Sequence, residues 1–219
     1  TVSEYNFTDG NQVSNLDSNL ERFQESDAVL PEVKVKDNSP ITNMGELVNH
    51  SGGAYGGDTF WDLIGRAFGV TNHKHYKDAG NTNLSQQLKN KGVKAEILTK
   101  EQMDFARQKV KELLGIEYKD DLKGNLQVRN FYQVYNADAV YAVAKLDTDK
   151  GFNSTSVLGG TNTAVQLGIK LNKPVYVWDI FTEQWYKFNN SQNNSNIVKN
   201  NWTKDSPKEN PNTAYIFTE

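Results

Sequence analysis

The chain of 219 residues holds 24 Lys and Arg against 27 Asp and Glu, a formal charge of -3, with 37% hydrophobic residues and a mean hydropathy of -0.71. A charge of that size supplies no field to hold a polyanion, which argues against general nucleic-acid binding. The lack of cysteine excludes disulfides, thiolate metal sites, iron–sulfur clusters and cysteine nucleophiles. No apolar run of about eighteen residues and no basic-then-apolar leader occurs, so no membrane partner and a cytoplasmic location are expected. Thr1 in place of Met, and a stop just after Ala214-Tyr215-Ile216-Phe217, suggest a module of a longer chain.

Residues 1–44 mix acids, Asn and Ser with few periodic apolar positions and end near Ser39-Pro40, the pattern of an irregular N-terminal arm with room for a short helix around Asn19 to Gln24. The ligand-binding domain is expected over 45–188. Glu46 to His50 predicts a strand. After a glycine turn, Asp58 to Phe68 predicts a helix that buries Phe60, Ile64 and Phe68 at helical spacing, with Trp61 also in the core. His73-Lys74-His75 falls in an expected loop. A helix over Asn83 to Asn90 and a strand over Val93 to Leu98 follow. Thr99, with Gln102 three residues on, has capping-box spacing and opens a helix over Lys100 to Leu114 that Gly115 closes. Gln127 to Tyr135 predicts a helix, Ala139 to Ala144 a strand, Thr161 to Leu171 a helix and Val175 to Trp178 a strand. Glu183 to Phe188 alternates as a terminal strand. Residues 189–219 read as an Asn-rich linker leading into a further strand or module. This alternation is the signature of an α/β domain with a mainly parallel sheet.

Two strand-to-helix junctions carry the chemistry. The first is Ser51-Gly52-Gly53-Ala54-Tyr55-Gly56-Gly57-Asp58 and the second is Leu158-Gly159-Gly160-Thr161-Asn162-Thr163. Glycines there allow positive φ and close approach of a ligand to bare backbone, and helix starts offer unpaired N–H groups to anionic or polar groups. In open parallel sheets ligands bind beyond the carboxyl ends of strands, where both turns should lie. Neither turn has the Walker pattern, and the first departs from the dinucleotide spacing.

Taken singly, Asp58 is either a helix N-cap or a ligand contact. As a contact it suits ribose hydroxyls, a base N–H or a metal ion, because it would repel phosphate. Arg129 is either an ion-pair partner or a bidentate phosphate ligand. Tyr55 offers a stacking surface, and His50, Trp178 and Asp179 lie at strand ends. His73 and His75 have a spacing that suits a metal ion, but no third ligand is evident, so no metal and no cofactor are expected.

The segment from about Glu46 to Asp179 resembles the SLOG superfamily of Rossmann-like domains, and most closely its molybdenum-carrier type. The likeness rests on Ser51 through Asp58, Ala137-Asp138-Ala139, Gly159-Gly160-Thr161 and Lys173-Pro174, in that order. It implies a three-layer Rossmann-like domain that binds a nucleotide or a nucleotide-derived small molecule. In the LOG branch an Arg and a Glu hydrolyse the N-glycosidic bond of cytokinin nucleotides. Here Arg129 stands at the Arg position, followed by Asn130 where Lys is usual, Asn162 replaces a Gly, Thr163 matches, and Gln166 stands at the Glu position. Glutamine cannot supply the charge or the base, so the resemblance implies binding without turnover.

The expected ligand set is therefore Ser51, Gly52, Gly53, Tyr55, Gly56 and Asp58 from the first turn, with Arg129, Gly159, Gly160, Thr161 and Thr163. Phosphate is expected at the second turn and sugar or base at the first. Two alternatives stay open: an N-glycosidase or transferase in which Asp58 supplies the carboxylate, and an interaction module with empty turns in a larger, perhaps phage-type, protein. Homo-oligomerisation is open as well.

Overall fold

The computed structural model describes residue 45, residues 47–148, 154–189 and 201–205, and the backbone of 215–217. The expected arm over 1–44, its short helix and the Asn-rich run from 190 to 200 lie outside the described residues.

The elements follow the expected alternation. They are β1 (Val48–Ser51), α1 (Gly57–Ala67), β2 (Asn72–Asp78), α2 (Gln86–Asn90), β3 (Glu96–Leu98), α3 (Lys100–Leu114), α4 (Leu122–Val128), α5 (Asn130–Tyr135), β4 (Val140–Ala144), α6 (Asn162–Lys170), β5 (Val175–Asp179), β6 (Gln184–Phe188), β7 (Trp202–Lys204) and β8 (Tyr215–Phe217). Strands β3, β2 and β1 pair in parallel, as do β4 and β5, and β6 and β7 add antiparallel at the edge. This is a Rossmann-like α/β domain. No helix among the described residues is long and apolar enough to cross a membrane.

Strand β4 explains the layering. Val140, Ala142 and Ala144 point to one face and pack with Val110 of α3, Phe131 and Val134 of α5, and Leu167 of α6. Tyr141 points to the other face, stacked on Tyr176 at 5.2 Å and facing Trp61 of α1 at 6.2 Å. A strand buried on both faces reads as a continuous apolar run, as Val140 to Ala144 does. Helix α6 comes closest to the sheet at Gly168, where an added Cβ would lie 2.8 Å from the Cγ2 atoms of Val140 and Val175. Alanine there gains up to about 1 kcal/mol of helix propensity but overpacks a tight contact at a cost of about 1–3 kcal/mol. Gly168→Ala is therefore expected to lower the urea midpoint despite being the better helix former.

The structure corrects several expectations. His73-Lys74-His75 lies within β2, because strand pairing with β1 and β3 and buried polar partners replace the missing apolar period. Helix α1 is placed as expected but buries Asp58, Thr59 and Asp62, while Phe60 and Ile64 are half-buried and Phe68 is 56% exposed. Its inward face is polar because a polar network lies beneath it. The helix expected over Gln127 to Tyr135 begins earlier, at Leu122, where the Asp121 carboxylate caps the Gly124 N–H at 2.7 Å, and it breaks at Arg129. Helix α2 is shorter than expected and starts after its cap, Ser85. The sheet also does not end at Phe188. Strand β7 pairs with β6, and β8 pairs in parallel with β1 from Asn49↔Tyr215 to Ser51↔Phe217 and runs alongside β4, bridging the two groups of strands.

Candidate functional site

Both glycine turns lie at the carboxyl ends of the parallel strands and meet at one cleft of about 180 Å³. Its walls include Ala54 and Asp58 of the first turn, Gln127, Arg129 and Gln133 from α4, α5 and the break between them, and Gly160 of the second turn. The sequence-based set thus contributes Asp58, Arg129 and Gly160 to the cleft.

Asp58 does not cap α1. The N-cap is Gly56, at φ 99°, with no side-chain cap. The Asp58 carboxylate turns back into the loop, where Oδ2 accepts the Ala54 N–H at 3.0 Å and the carboxylate also accepts the Gly52 N–H. Its other oxygen, Oδ1, is buried without a hydrogen-bond partner. Burial pushes the Asp58 carboxyl above the usual range, against the opposing charge of Arg129.

Arg129 reaches the same loop from the other face of the sheet. Its Nη1 donates to the carbonyls of Gly52 and Tyr76, both at 3.1 Å. A Cβ at Gly52 would lie 2.5 Å from Arg129 Nη2 and 2.9 Å from Asp58 Oδ2, so glycine is what lets the guanidinium and the carboxylate approach the strand end together. Arg129 therefore holds the turn through Nη1. Lys77 adds a buried cation nearby, which burial lowers to about 8, with Arg129 adding to the effect and Asp58 and Asp78 opposing it.

Beneath the first turn runs a polar chain. Ser51 Oγ accepts the Gly53 N–H at 3.3 Å and meets His75 Nδ1 at 2.7 Å, while His75 Nε2 meets Asp62 Oδ2 at 2.7 Å. One tautomer satisfies every contact: Nε2–H donates to Asp62 and Nδ1 accepts the Ser51 hydroxyl. Burial opposes the charge on Asp62, but hydrogen bonds from His75 and Arg66 outweigh it and bring the carboxyl down to about 2. His73 donates Nε2–H to the Val70 carbonyl at 2.9 Å. Burial lowers its pKa against the raising effects of the Val70 carbonyl and Asp62, and its Nδ1 lies 3.3 Å from the Asn49 amide nitrogen and 3.2 Å from Asp62 Oδ2. The third partner missing from the histidine pair is thus Asp62. All four ring nitrogens are in hydrogen bonds, and no metal-binding group of three or more His, Cys, Asp or Glu occurs among the described residues.

Several expected contacts are occupied elsewhere. The Ser51 hydroxyl belongs to the polar chain, and a Cβ at Gly53, at φ 63°, would run into Leu84 and His75. The Thr163 hydroxyl meets Tyr118 Oη at 2.7 Å, and Thr161 is buried at the start of α6. Tyr55 is 41% exposed and Gly159, at φ 88°, has open space around it; they adjoin the cleft-lining residues Ala54 and Gly160 in sequence. Gln166 donates to the Thr155 carbonyl at 2.5 Å, away from the cleft. His50 stacks on Tyr76 and meets its hydroxyl at 2.9 Å, and burial, helped by Lys74 and Lys173, lowers it to about 4. Asp179 accepts from the Leu146 and Phe181 amides and the Thr182 hydroxyl, which makes it a turn brace. Trp178 packs edge-on against Trp185.

Gln127 and Gln133 were not legible as site residues. Each leaves a buried Oε1 without a partner, and Gln133 is 1% exposed. An isolated glutamine in a helix carries no local signal of that role. Comparisons with protein-family models, curated proteins and solved structures find no match to this chain.

Proposed function

We propose that this domain binds a nucleotide or nucleotide-derived small molecule in the cleft between the two glycine turns, and that it recognises or sequesters the molecule rather than turning it over. The observation that carries this reading is the convergence of both turns on a buried carboxylate with one oxygen unpartnered. Buried polar atoms are almost always satisfied, and a ligand in the cleft would supply the missing partner. The start of α6 has no side-chain cap and adds a dipole end beside Gly160, fit for an anionic group at the rim. The ordered motifs that resemble the SLOG superfamily agree with this reading, and the engagement of Gln166 by Thr155 speaks against a LOG-type carboxylate role at that position.

The second reading is an N-glycosidase or transferase in which Asp58 acts as the acid, favoured by its burial-raised pKa. Native mass spectrometry against a panel of nucleosides and nucleotides, followed by chromatography for free base, tests both. The binder reading expects a bound, unaltered molecule. Free base whose release disappears in Asp58→Asn would overturn it in favour of the enzyme, and no adduct with any member would overturn both.

A further inference from the structure

Deepening that reading, and resting on it, we infer that the cleft takes the sugar end of the ligand, with ring hydroxyls donating to Asp58 Oδ1, and that any phosphate stays outside at the start of α6. This reverses the natural assignment of Arg129 to phosphate. Asp58, Gln127 and Gln133 line the cleft, and each has a buried oxygen without a hydrogen-bond partner, Asp58 Oδ1, Gln127 Oε1 and Gln133 Oε1; Asp58 and Gln133 are 3% and 1% exposed. When Asp58 is ionised beside Arg129 its oxygen can only accept, so what it then lacks is an O–H or N–H. Amide side chains can present either end, so Gln127 and Gln133 can serve a hydroxyl as donor or acceptor.

Size points the same way. The cleft has a volume of about 180 Å³, too small to enclose a whole nucleotide. Sites that enclose a larger ligand run to about 300 Å³ or more. The remainder of the molecule must therefore lie outside the cleft, on the side of the exposed Tyr55 and Gly159, the chain neighbours of its lining residues Ala54 and Gly160. Arg129 Nη1 is occupied by the carbonyls of Gly52 and Tyr76, so the cation in the cleft holds the backbone, and a phosphate beside it would also meet the Asp58 charge.

Isothermal titration of the full chain with adenosine, 2′,3′-dideoxyadenosine, adenine, ribose 5-phosphate and adenosine 5′-monophosphate tests the orientation. Adenosine and its monophosphate are expected to bind at least about 10-fold more tightly than the dideoxy analogue, the span of one or more lost hydrogen bonds to a charged group. Asp58→Asn is expected to erase most of that preference, with Gln133→Leu, checked for an unchanged thermal midpoint, as a second variant that weakens adenosine and spares the dideoxy analogue. Equal affinity for adenosine and the dideoxy analogue, or for adenine alone, would place a base or nothing against Asp58 and overturn the inference while the proposed binding stands. Tighter monophosphate binding in Asp58→Asn would also overturn it, by placing phosphate in the cleft. Failure of every ligand to bind would overturn the binding reading together with the inference.

Discussion

Arg129→Met is expected to cost about 3–5 kcal/mol of stability, the range seen when one member of a buried charged group is removed. The side chain is 6% exposed, and its loss leaves the Gly52 and Tyr76 carbonyls without their donor and the Asp58 carboxylate without the adjacent guanidinium. Methionine keeps much of the volume, so the loss reports hydrogen bonding and charge rather than a cavity. Arg129→Lys restores the charge without the planar fork and should recover only part of the stability. Urea denaturation measures both. A variant that lost ligand affinity with a midpoint unchanged within about 0.5 kcal/mol would show that Arg129 is a surface ligand for phosphate and not a clamp on the turn.

The second large effect belongs to Asp62, which is fully buried between His75 and Arg66. Its folded pKa, about 2, lies below the ordinary 3.8. A depressed carboxyl contributes stability that is fully present above the unfolded value and lost as pH falls through the folded one. The window therefore runs from about pH 4 to about pH 2, and the contribution is about 2 kcal/mol at about 1.4 kcal/mol per unit. Asp62→Asn is expected to cost about that much at neutral pH and to flatten the difference between variant and wild type below pH 2. Urea midpoints across this range measure it. A constant difference from pH 7 to pH 2 would mean that the ionised form of Asp62 plays no part. Because the chain from Asp62 through His75 and Ser51 ends on the Gly53 N–H, the variant should also loosen the first glycine turn.

What could be read from the sequence was what is decided locally. Helix α3 runs over the expected residues because Thr99 and Gln102 satisfy each other's backbone amides and Gly115 takes the left-handed conformation at φ 69°. The glycine turns announced the cleft because positive φ and close approach demand glycine at Gly52 and Gly53. Strand β2 escaped detection because its buried face carries His73 and His75, whose partner Asp62 lies on α1. Polar pairing across elements leaves no periodic trace in either segment. The role of α1 was misjudged for the same reason: the apolar spacing of Phe60, Ile64 and Phe68 competed with a polar face that had partners waiting. Gln127 and Gln133 became site residues only because the chain breaks at Arg129 and turns α4 and α5 toward the first turn. Strand β8 shows a longer-range version of this limit, since nothing in Tyr215-Ile216-Phe217 says that its partner is β1.

The central claim is that the two glycine turns, far apart in sequence, form one ligand site. Backbone amide chemical-shift mapping during titration with adenosine 5′-monophosphate addresses it residue by residue. Shifts that saturate together at Gly52 to Asp58, at Gln127 to Gln133 and at Gly159 to Thr161 are predicted. Saturable shifts confined to one turn, or clustered away from both, would contradict it.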